Sequence, residues 1–232
     1  MNAQTNAWGI DVSHWHPVKD WAKLIATGAS FFAAKATDGA TYVDSSFAAH
    51  RDGARAQPFA LCIWYHFARM TGPAADQVKH FLDVAGPLQP NERVCLDFEE
   101  PSYGALTGVA LQSQVICWID EFMQALLDGA CSDRRPFLYT SDRIWRAIGN
   151  PGWMLASEVD LWLPRYSVGM MPPAVPAPWN TWSLWQWSDG TTPPSIVDGV
   201  GPCDTSFWRG DAASLARYMA GEGTEPGMAP TT

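Results

Sequence analysis

Five times between residues 8 and 148, a short and nearly continuous apolar run is followed by a stretch with helical spacing, and this rhythm constrains the fold more than any other feature. Runs at Trp8–Val12, 31–36, 59–67, 93–98 and 137–140 predict strands. The stretches 18–28, 45–57, Ala74–Ala85, 107–130 and 142–148 predict helices; in the first, Ile25 and Ala29 follow Trp21 at helical spacing. Strands that are apolar throughout are buried on both faces, which implies a parallel sheet covered by helices.

After residue 148 the rhythm changes. Segments 161–163, 183–187 and 203–207 are strand-like with no helical stretch between them, and helix returns at 211–219. Eight strands predict closure, so the expected fold is α/β: an irregular TIM-type barrel of (β/α)5(β)3 topology. A doubly wound open sheet is the alternative. No G-x-G-x-x-G or P-loop follows the first strand, which removes the main support for an open nucleotide-binding sheet.

The chain has 232 residues, 47% apolar and 17% charged, against roughly 25% charged in typical soluble domains. Disorder over most of the length is excluded. One barrel domain is expected over residues 8–220, with a disordered or extended stretch at 1–7 and a flexible polar tail at 221–232. Residues 170–178, rich in Pro and Met, read as a surface loop. A net charge of −9 argues against nucleic acid and against an anionic membrane as partners. Five scattered cysteines show no C-x-x-C pair and read as buried thiols rather than as zinc or redox sites. The start, MNAQTNAWGID, has no basic n-region and no apolar h-region, and no apolar run of about 18 residues occurs, so neither a signal peptide nor a membrane span is expected. Thirteen tryptophans suit stacking on sugar rings, although core packing explains tryptophan equally well.

In a β/α barrel the reactive groups lie at the C-terminal ends of the strands. Asp11 ends the first, Asp97 and Glu99 end the fourth, and Asp204 sits in the last. Alternation sends Asp97 and Glu99 to one side, with Cα atoms roughly 6.6 Å apart, and Phe98 to the other. If that shared side is the barrel interior, ionising one carboxyl discourages ionising the other, and an acid and an anion result. Pro101 ends the strand and leaves Glu100 at the rim. Asp11 also reads as a turn or cap residue, and Asp204 competes with Asp189 and Asp198 in the same loop-rich region.

Histidine offers a rival. His14-Trp15-His16 follows the first strand and could ligate zinc with His66 and a carboxylate, giving a metal-dependent amidohydrolase. Pro17 follows at once, and Ser13 or Asp20 could cap a helix beginning there, which places the pair in a capping loop instead. His50 and His80 fall within helices and read as surface residues, and His66 reads as a satisfied barrel histidine.

Eight segments in order carry a resemblance: Gly-Ile-Asp-Val-Ser (9–13), Phe-Phe-Ala-Ala-Lys-Ala-Thr-Asp-Gly (31–39), Tyr-Val-Asp-Ser-Ser-Phe (42–47), Tyr-His-Phe (65–67), Leu-Asp-Phe-Glu (96–99), Leu-Tyr-Thr-Ser (138–141), Leu-Trp-Leu-Pro-Arg-Tyr (161–166) and Leu-Trp-Gln-Trp-Ser (184–188). Over residues 8 to 210 the chain resembles glycoside hydrolase family 25, the Chalaropsis-type lysozymes common in phage endolysins. The resemblance implies an incomplete barrel and an N-acetylmuramidase that cleaves the β-1,4 bond between N-acetylmuramic acid and N-acetylglucosamine in bacterial peptidoglycan. It implies Glu99 as general acid, Asp97 as its D-x-E partner, and Asp11 and Asp204 as the other acidic positions. An oxocarbenium-like transition state needs one proton donor and stabilising anions, with either an Asp or the substrate's N-acetyl oxygen attacking C1. Lys35, Tyr65, Tyr139, Trp185 and Trp187 match positions that line the family's groove. The chain departs from the usual pattern at His16 (often Gln), Asp38 (often Glu) and Cys203-Asp204-Thr205 (a Val-Asp-Leu-like segment). Expected with it are no cofactor, no metal and a monomer. A phage-encoded enzyme would stay in the host cytoplasm until holin-type release to the cell wall. A non-catalytic glycan-binding pseudoenzyme is the third reading, after the muramidase and the amidohydrolase.

Overall fold

The computed structural model describes residues 6–105, 108–166 and 169–222. The expectations for residues 1–5 and for the tail from 223 onward lie outside the described residues. Among the described residues there are eleven strands: β1 (Trp8–Val12), β2 (Phe31–Asp38), β3 (Tyr42–Val43), β4 (Leu61–Phe67), β5 (Glu92–Asp97), β6 (Phe137–Tyr139), β7 (Asp160–Pro164), β8 (Leu184–Asp189), β9 (Ile196–Val197), β10 (Gly201–Pro202) and β11 (Asp204–Trp208). The helices are α1 (Trp21–Ala26), α2 (Phe47–Arg55), α3 (Ala74–Ala85), α4 (Gly108–Asp128), α5 (Asp142–Ala147) and α6 (Ala212–Met219).

The main sheet runs β1-β11-β8-β7-β6-β5-β4-β2 and closes through a parallel β1–β2 pairing, with β3 added at the end of β2. Closure into an eight-stranded barrel with five β/α units matches the expected topology. Of the eight barrel strands, one departs from the expected parallel sheet: β11 runs antiparallel to both β1 and β8. The physical reason lies in the connections. A parallel neighbour needs a long crossover, whereas the chain between β8 and β11 folds back through the small β9–β10 hairpin and returns in the opposite direction.

Side chains alternate between two apolar layers. Phe32, Ala34, Cys62, Trp64, Val94, Leu96, Phe98 and Leu138 point outward and pack beneath the helices. Phe31, Ala33, Leu61, Ile63, Cys95, Phe137, Trp162, Leu184 and Trp208 fill the barrel. The interior row changes character along each strand. Gly9 gives way to Asp11, Phe31 and Ala33 to Lys35, Leu61 and Ile63 to Tyr65, Cys95 to Asp97, and Leu184 to Gln186. The barrel is therefore apolar at its base and polar at its mouth.

Local chemistry sets the helix boundaries. Asp20 accepts a hydrogen bond from the Lys23 backbone N–H at 3.0 Å, so α1 starts at Trp21 rather than at residue 18. Ser141 caps α5 through the Ile144 N–H at 3.2 Å, and Asp211 caps α6 through the Ser214 N–H at 2.8 Å. Two expectations about burial are corrected. His50 is buried, because α2 turns it against Phe32 and toward the Val18 N–H. Cys117 is exposed on α4, while Cys62, Cys95, Cys131 and Cys203 are buried as expected, and all five thiols are free. No helix among the described residues is long and apolar enough to cross a membrane.

Gly9 marks the tightest point of the barrel wall. A Cβ there would fall on the carbonyl oxygen and the ring of Phe31 in the adjacent strand. The oxygen belongs to the β1–β2 ladder and cannot swing away. Gly9→Ala is expected to cost about 1–3 kcal/mol of stability through overpacking, seen as a lower urea midpoint at unchanged slope. An unchanged midpoint would mean that the wall is loose at this position.

Candidate active site

The polar mouth encloses a cavity of about 160 Å³. Its walls are Asp11 and Ser13 from β1 and the loop beyond it, Lys35 from β2, Tyr65 and Phe67 from β4, Cys95, Asp97 and Glu99 from β5 and the residues after it, Tyr139 from β6, Trp162 from β7, Tyr166 beyond it, Gln186 from β8 and Asp204 from β11. All four carboxyls singled out in the sequence thus meet in one hollow, together with Lys35, Tyr65 and Tyr139.

Backbone register brings the acids together. Asp11 and Asp204 are directly paired residues of the antiparallel β1–β11 ladder. Facing side chains in such a ladder have Cβ atoms about 4.5–5.5 Å apart. Asp97 ends β5, and Glu99 lies two residues on, on the same side, while Phe98 is fully buried in the outer layer. Glu99 is held by the 3-10 turn Glu100–Tyr103: the Ser102 hydroxyl accepts from its N–H at 3.0 Å, and its carbonyl accepts from the Ser102 N–H at 3.0 Å. Glu100 is exposed at the rim and pairs with Arg143. Asp189 accepts from Thr191 and Thr192 and serves the turn after β8, and Asp198 is exposed in the β9–β10 hairpin.

Keeping a carboxylate ionised away from water costs several kcal/mol, whereas each unit of pKa rise costs about 1.4 kcal/mol, so these groups hold on to protons. Burial raises Asp97 well above the usual aspartate range; the charge of Glu99 adds to this and Lys35 opposes it. Glu99 is also raised by burial, against the pull of Lys35 and Arg69. Asp11 is raised by burial and then by the charge of Asp204, while Asp204 is pushed by burial to about 6 and is relieved by a hydrogen bond from Asp11. The pair therefore shares one proton, held on the Asp11 side.

Gln186 ties the mouth together. Its amide NH2 donates to Asp11 Oδ1 at 2.9 Å and to Asp204 Oδ2 at 3.3 Å. Its Oε1 accepts from the hydroxyls of Tyr139 at 2.7 Å and Tyr166 at 2.9 Å. Every hydrogen-bonding position of the amide group is used, which fixes its orientation. On the opposite wall, Asp38 accepts from Lys35 Nζ at 2.9 Å and from Arg69 at 2.7 and 3.1 Å, and both cations lie over the Phe67 ring, at 4.6 and 4.4 Å. Burial alone would raise Asp38, but the bonds from Arg69 and Lys35 outweigh it and hold the carboxyl below its ordinary value.

Two expected groove residues lie elsewhere. Gln186 points inward, so its neighbours Trp185 and Trp187 point outward. There Trp185 packs with Trp182 and Phe207, and Trp187 stacks on Phe207. Neither lines the cavity. Gln186 itself, Tyr166, Trp162, Phe67, Ser13 and Arg69 were not singled out by the sequence. Parity in β8 could have found Gln186, since an inward Asp11 ladder leaves room for one inward residue of Trp-Gln-Trp.

The zinc constellation does not assemble. His14 Nδ1 is 2.7 Å from Asp44 Oδ2. His66 points outward, where it uses one ring nitrogen on the Thr37 hydroxyl at 2.8 Å and the other on Gln77 Oε1 at 3.0 Å, beneath Phe122. Among the described residues no group of three or more His, Cys, Asp and Glu side chains could hold a metal ion. Ser13 does not cap α1; its hydroxyl accepts from the Trp15 N–H at 3.4 Å in the loop after β1.

The family model described as glycosyl hydrolases family 25 matches residues 10–196. Lysozyme M1 of Streptomyces globisporus is 30% identical over 212 residues, covering 89% of this chain and 69% of the relative. The N,O-diacetylmuramidase of Chalaropsis sp. is 30% identical over 191 residues, covering 78% of this chain and 87% of the relative. Among solved structures, the bacterial lysozyme from Streptomyces coelicolor superposes with a TM-score of 0.81 at 28% identity, over 94% of this chain and 99% of that one. A family GH25 lysozyme from Aspergillus fumigatus gives 0.78 at 30% identity, over 93% and 99%.

The shared proton makes a stability prediction. The folded-state pKa of Asp204 is raised from 3.8 to about 6, so its contribution is present at low pH and is lost as pH rises from about 4 through 6. Asp204→Asn removes that loss. At pH 7–8 the variant is expected to be more stable than the wild type by about 1–3 kcal/mol, with the gain vanishing near pH 4. Thermal unfolding at both pH values measures it; a variant that is less stable at pH 8 would contradict the shared proton.

Proposed function

The chain belongs to glycosyl hydrolases family 25, and from that membership we infer that it is a peptidoglycan muramidase, a lysozyme that hydrolyses the β-1,4 bond between N-acetylmuramic acid and N-acetylglucosamine. The observation that carries the catalytic assignment is the meeting of Asp11, Asp97, Glu99 and Asp204 in one water-poor mouth where burial favours the protonated acids. Glu99 is the general acid. It is the least buried of the D-x-E pair, its backbone is fixed by Ser102, and its raised proton affinity keeps a proton available for the glycosidic oxygen.

Asp97 is assigned to the sugar's 2-acetamido group. Its Oδ1 is buried with no hydrogen-bond partner in the protein, an acceptor that the acetamide N–H can fill. With the N–H so held, the acetamide oxygen attacks C1 as Glu99 delivers its proton to the leaving oxygen. The C1–O bond to the leaving sugar breaks, and a cyclic oxazolinium ion forms. Water then opens the ion at C1, giving one proton to Glu99, and the anomeric configuration is retained. Asp11 and Asp204, with one proton between them, add net negative charge beside the developing cation, and Gln186 sets how that charge is held.

Digestion of isolated peptidoglycan in the presence of a chelator, followed by mass spectrometry, tests the assignment. The wild type is expected to release fragments with reducing muramic acid ends, with the retained anomer appearing first by NMR. Glu99→Gln should lower the rate at least about a hundredfold while still binding the wall. Release of free amino groups without new reducing ends, or full activity in Glu99→Gln, would contradict it.

A further inference from the structure

The cavity at the barrel mouth is smaller than the roughly 300–1,000 Å³ of sites that enclose a whole drug-sized ligand, so it holds the scissile linkage while the rest of a glycan strand lies outside. What lies outside on the β1 side is aromatic. Of the thirteen tryptophans, all within the described residues, Trp15 alone is largely exposed, at 76% of full exposure. It stands two residues beyond Ser13, which lines the cavity, and two residues of chain span at most about 7 Å. Both Trp15 and Tyr42 follow the C-terminal ends of neighbouring barrel strands, β1 and β2, and so sit on the same face as the cavity.

The structure supports this indole from behind. The His14 ring lies 4.5 Å from it, and the Tyr42 ring, 43% exposed, lies 6.3 Å beyond His14. His14 is fixed by Asp44, a buried carboxylate on the loop after β3, which accepts from the His14 N–H at 3.1 Å, meets Nδ1 at 2.7 Å, and accepts from the Ser46 N–H at 2.9 Å. The Tyr42 hydroxyl reaches the same His14 nitrogen at 3.4 Å. A buried acid is thus used to hold a ring beneath an exposed loop. Held in this way through His14, the exposed indole presents a flat apolar face beside the rim of the cavity.

We infer that Trp15, backed by His14 and flanked by Tyr42, is an outer sugar-stacking platform that holds a pyranose ring of the glycan strand beyond the cavity. The inference rests on the muramidase reading. The occupant follows from the chemistry and from continuity with the cavity. β-Linked N-acetyl sugars carry their substituents equatorially and turn a face of axial C–H bonds outward, which suits an aromatic face, and the next rings of a bound strand must leave the cavity over one of its rims. This is the role left for His14-Trp15-His16 once metal binding is set aside.

The test compares wild type, Trp15→Ala and Trp15→Phe on two substrates: long glycan strands stripped of peptide, and the tetrasaccharide of the same repeat. An aromatic contact contributes about 0.5–1.5 kcal/mol beyond area burial, which converts to about a two- to tenfold change in affinity. For Trp15→Ala the expected result is a KM on long strands raised by that factor, with a smaller rise on the tetrasaccharide. Trp15→Phe should recover most of the loss on long strands. An equal KM for wild type and Trp15→Ala on long strands, or equal rises on both substrates, would overturn the platform. A wild type that releases no reducing muramic ends from either substrate would overturn the muramidase reading itself, and the platform with it.

Discussion

Four carboxyl groups cannot all be ionised in one poorly solvated hollow, and the rest of the mouth is organised around that limit. Proton sharing, cation placement and one amide together meet it. Asp11 and Asp204 share a proton across a strand pair, and Asp97 and Glu99 are raised by burial, Asp97 further by the charge of Glu99. Lys35 and Arg69 oppose the rise on one wall only, and Asp38 engages both of them. The same imbalance that makes the mouth costly to fold raises the proton affinity of its buried acids, which is what a general acid in glycoside hydrolysis needs.

The barrel produces this geometry through a simple device. Inward positions are apolar over the N-terminal part of each strand and polar at its C-terminal end, so a packed base supports a reactive rim. The antiparallel β11 adds something that a parallel strand would not. It presents its first residue, Asp204, at the mouth, directly opposite Asp11. Gln186 then reads the state of that pair, with two donors on the acids and two tyrosine hydroxyls fixing its carbonyl.

Much of this was legible before any coordinates, for reasons that particular residues explain. Period-two alternation in Leu-Asp-Phe-Glu is a local property, so the common side of Asp97 and Glu99 and the opposite side of Phe98 followed from sequence. The five β/α units followed because apolar runs and helical spacing are local as well. Features that depend on distant contacts were not legible. Burial of His50 depends on Phe32 and Val18, the direction of β11 depends on a hairpin in the preceding loop, and the use of both His66 nitrogens depends on Thr37 and Gln77. Trp185 and Trp187 drew attention as sugar-stacking residues by their type, whereas the parity of β8 assigns the interior to the glutamine between them.

Burial and charge repulsion at the barrel mouth, rather than the mere presence of four acids, set their chemistry. A carbon-13 NMR titration of the aspartate and glutamate carboxyl carbons measures this directly. Asp97 and Glu99 are expected to titrate above the ordinary carboxylate range, and Asp204 near 6 with a curve coupled to that of Asp11. Four independent titrations near the ordinary value of about 4 would contradict it.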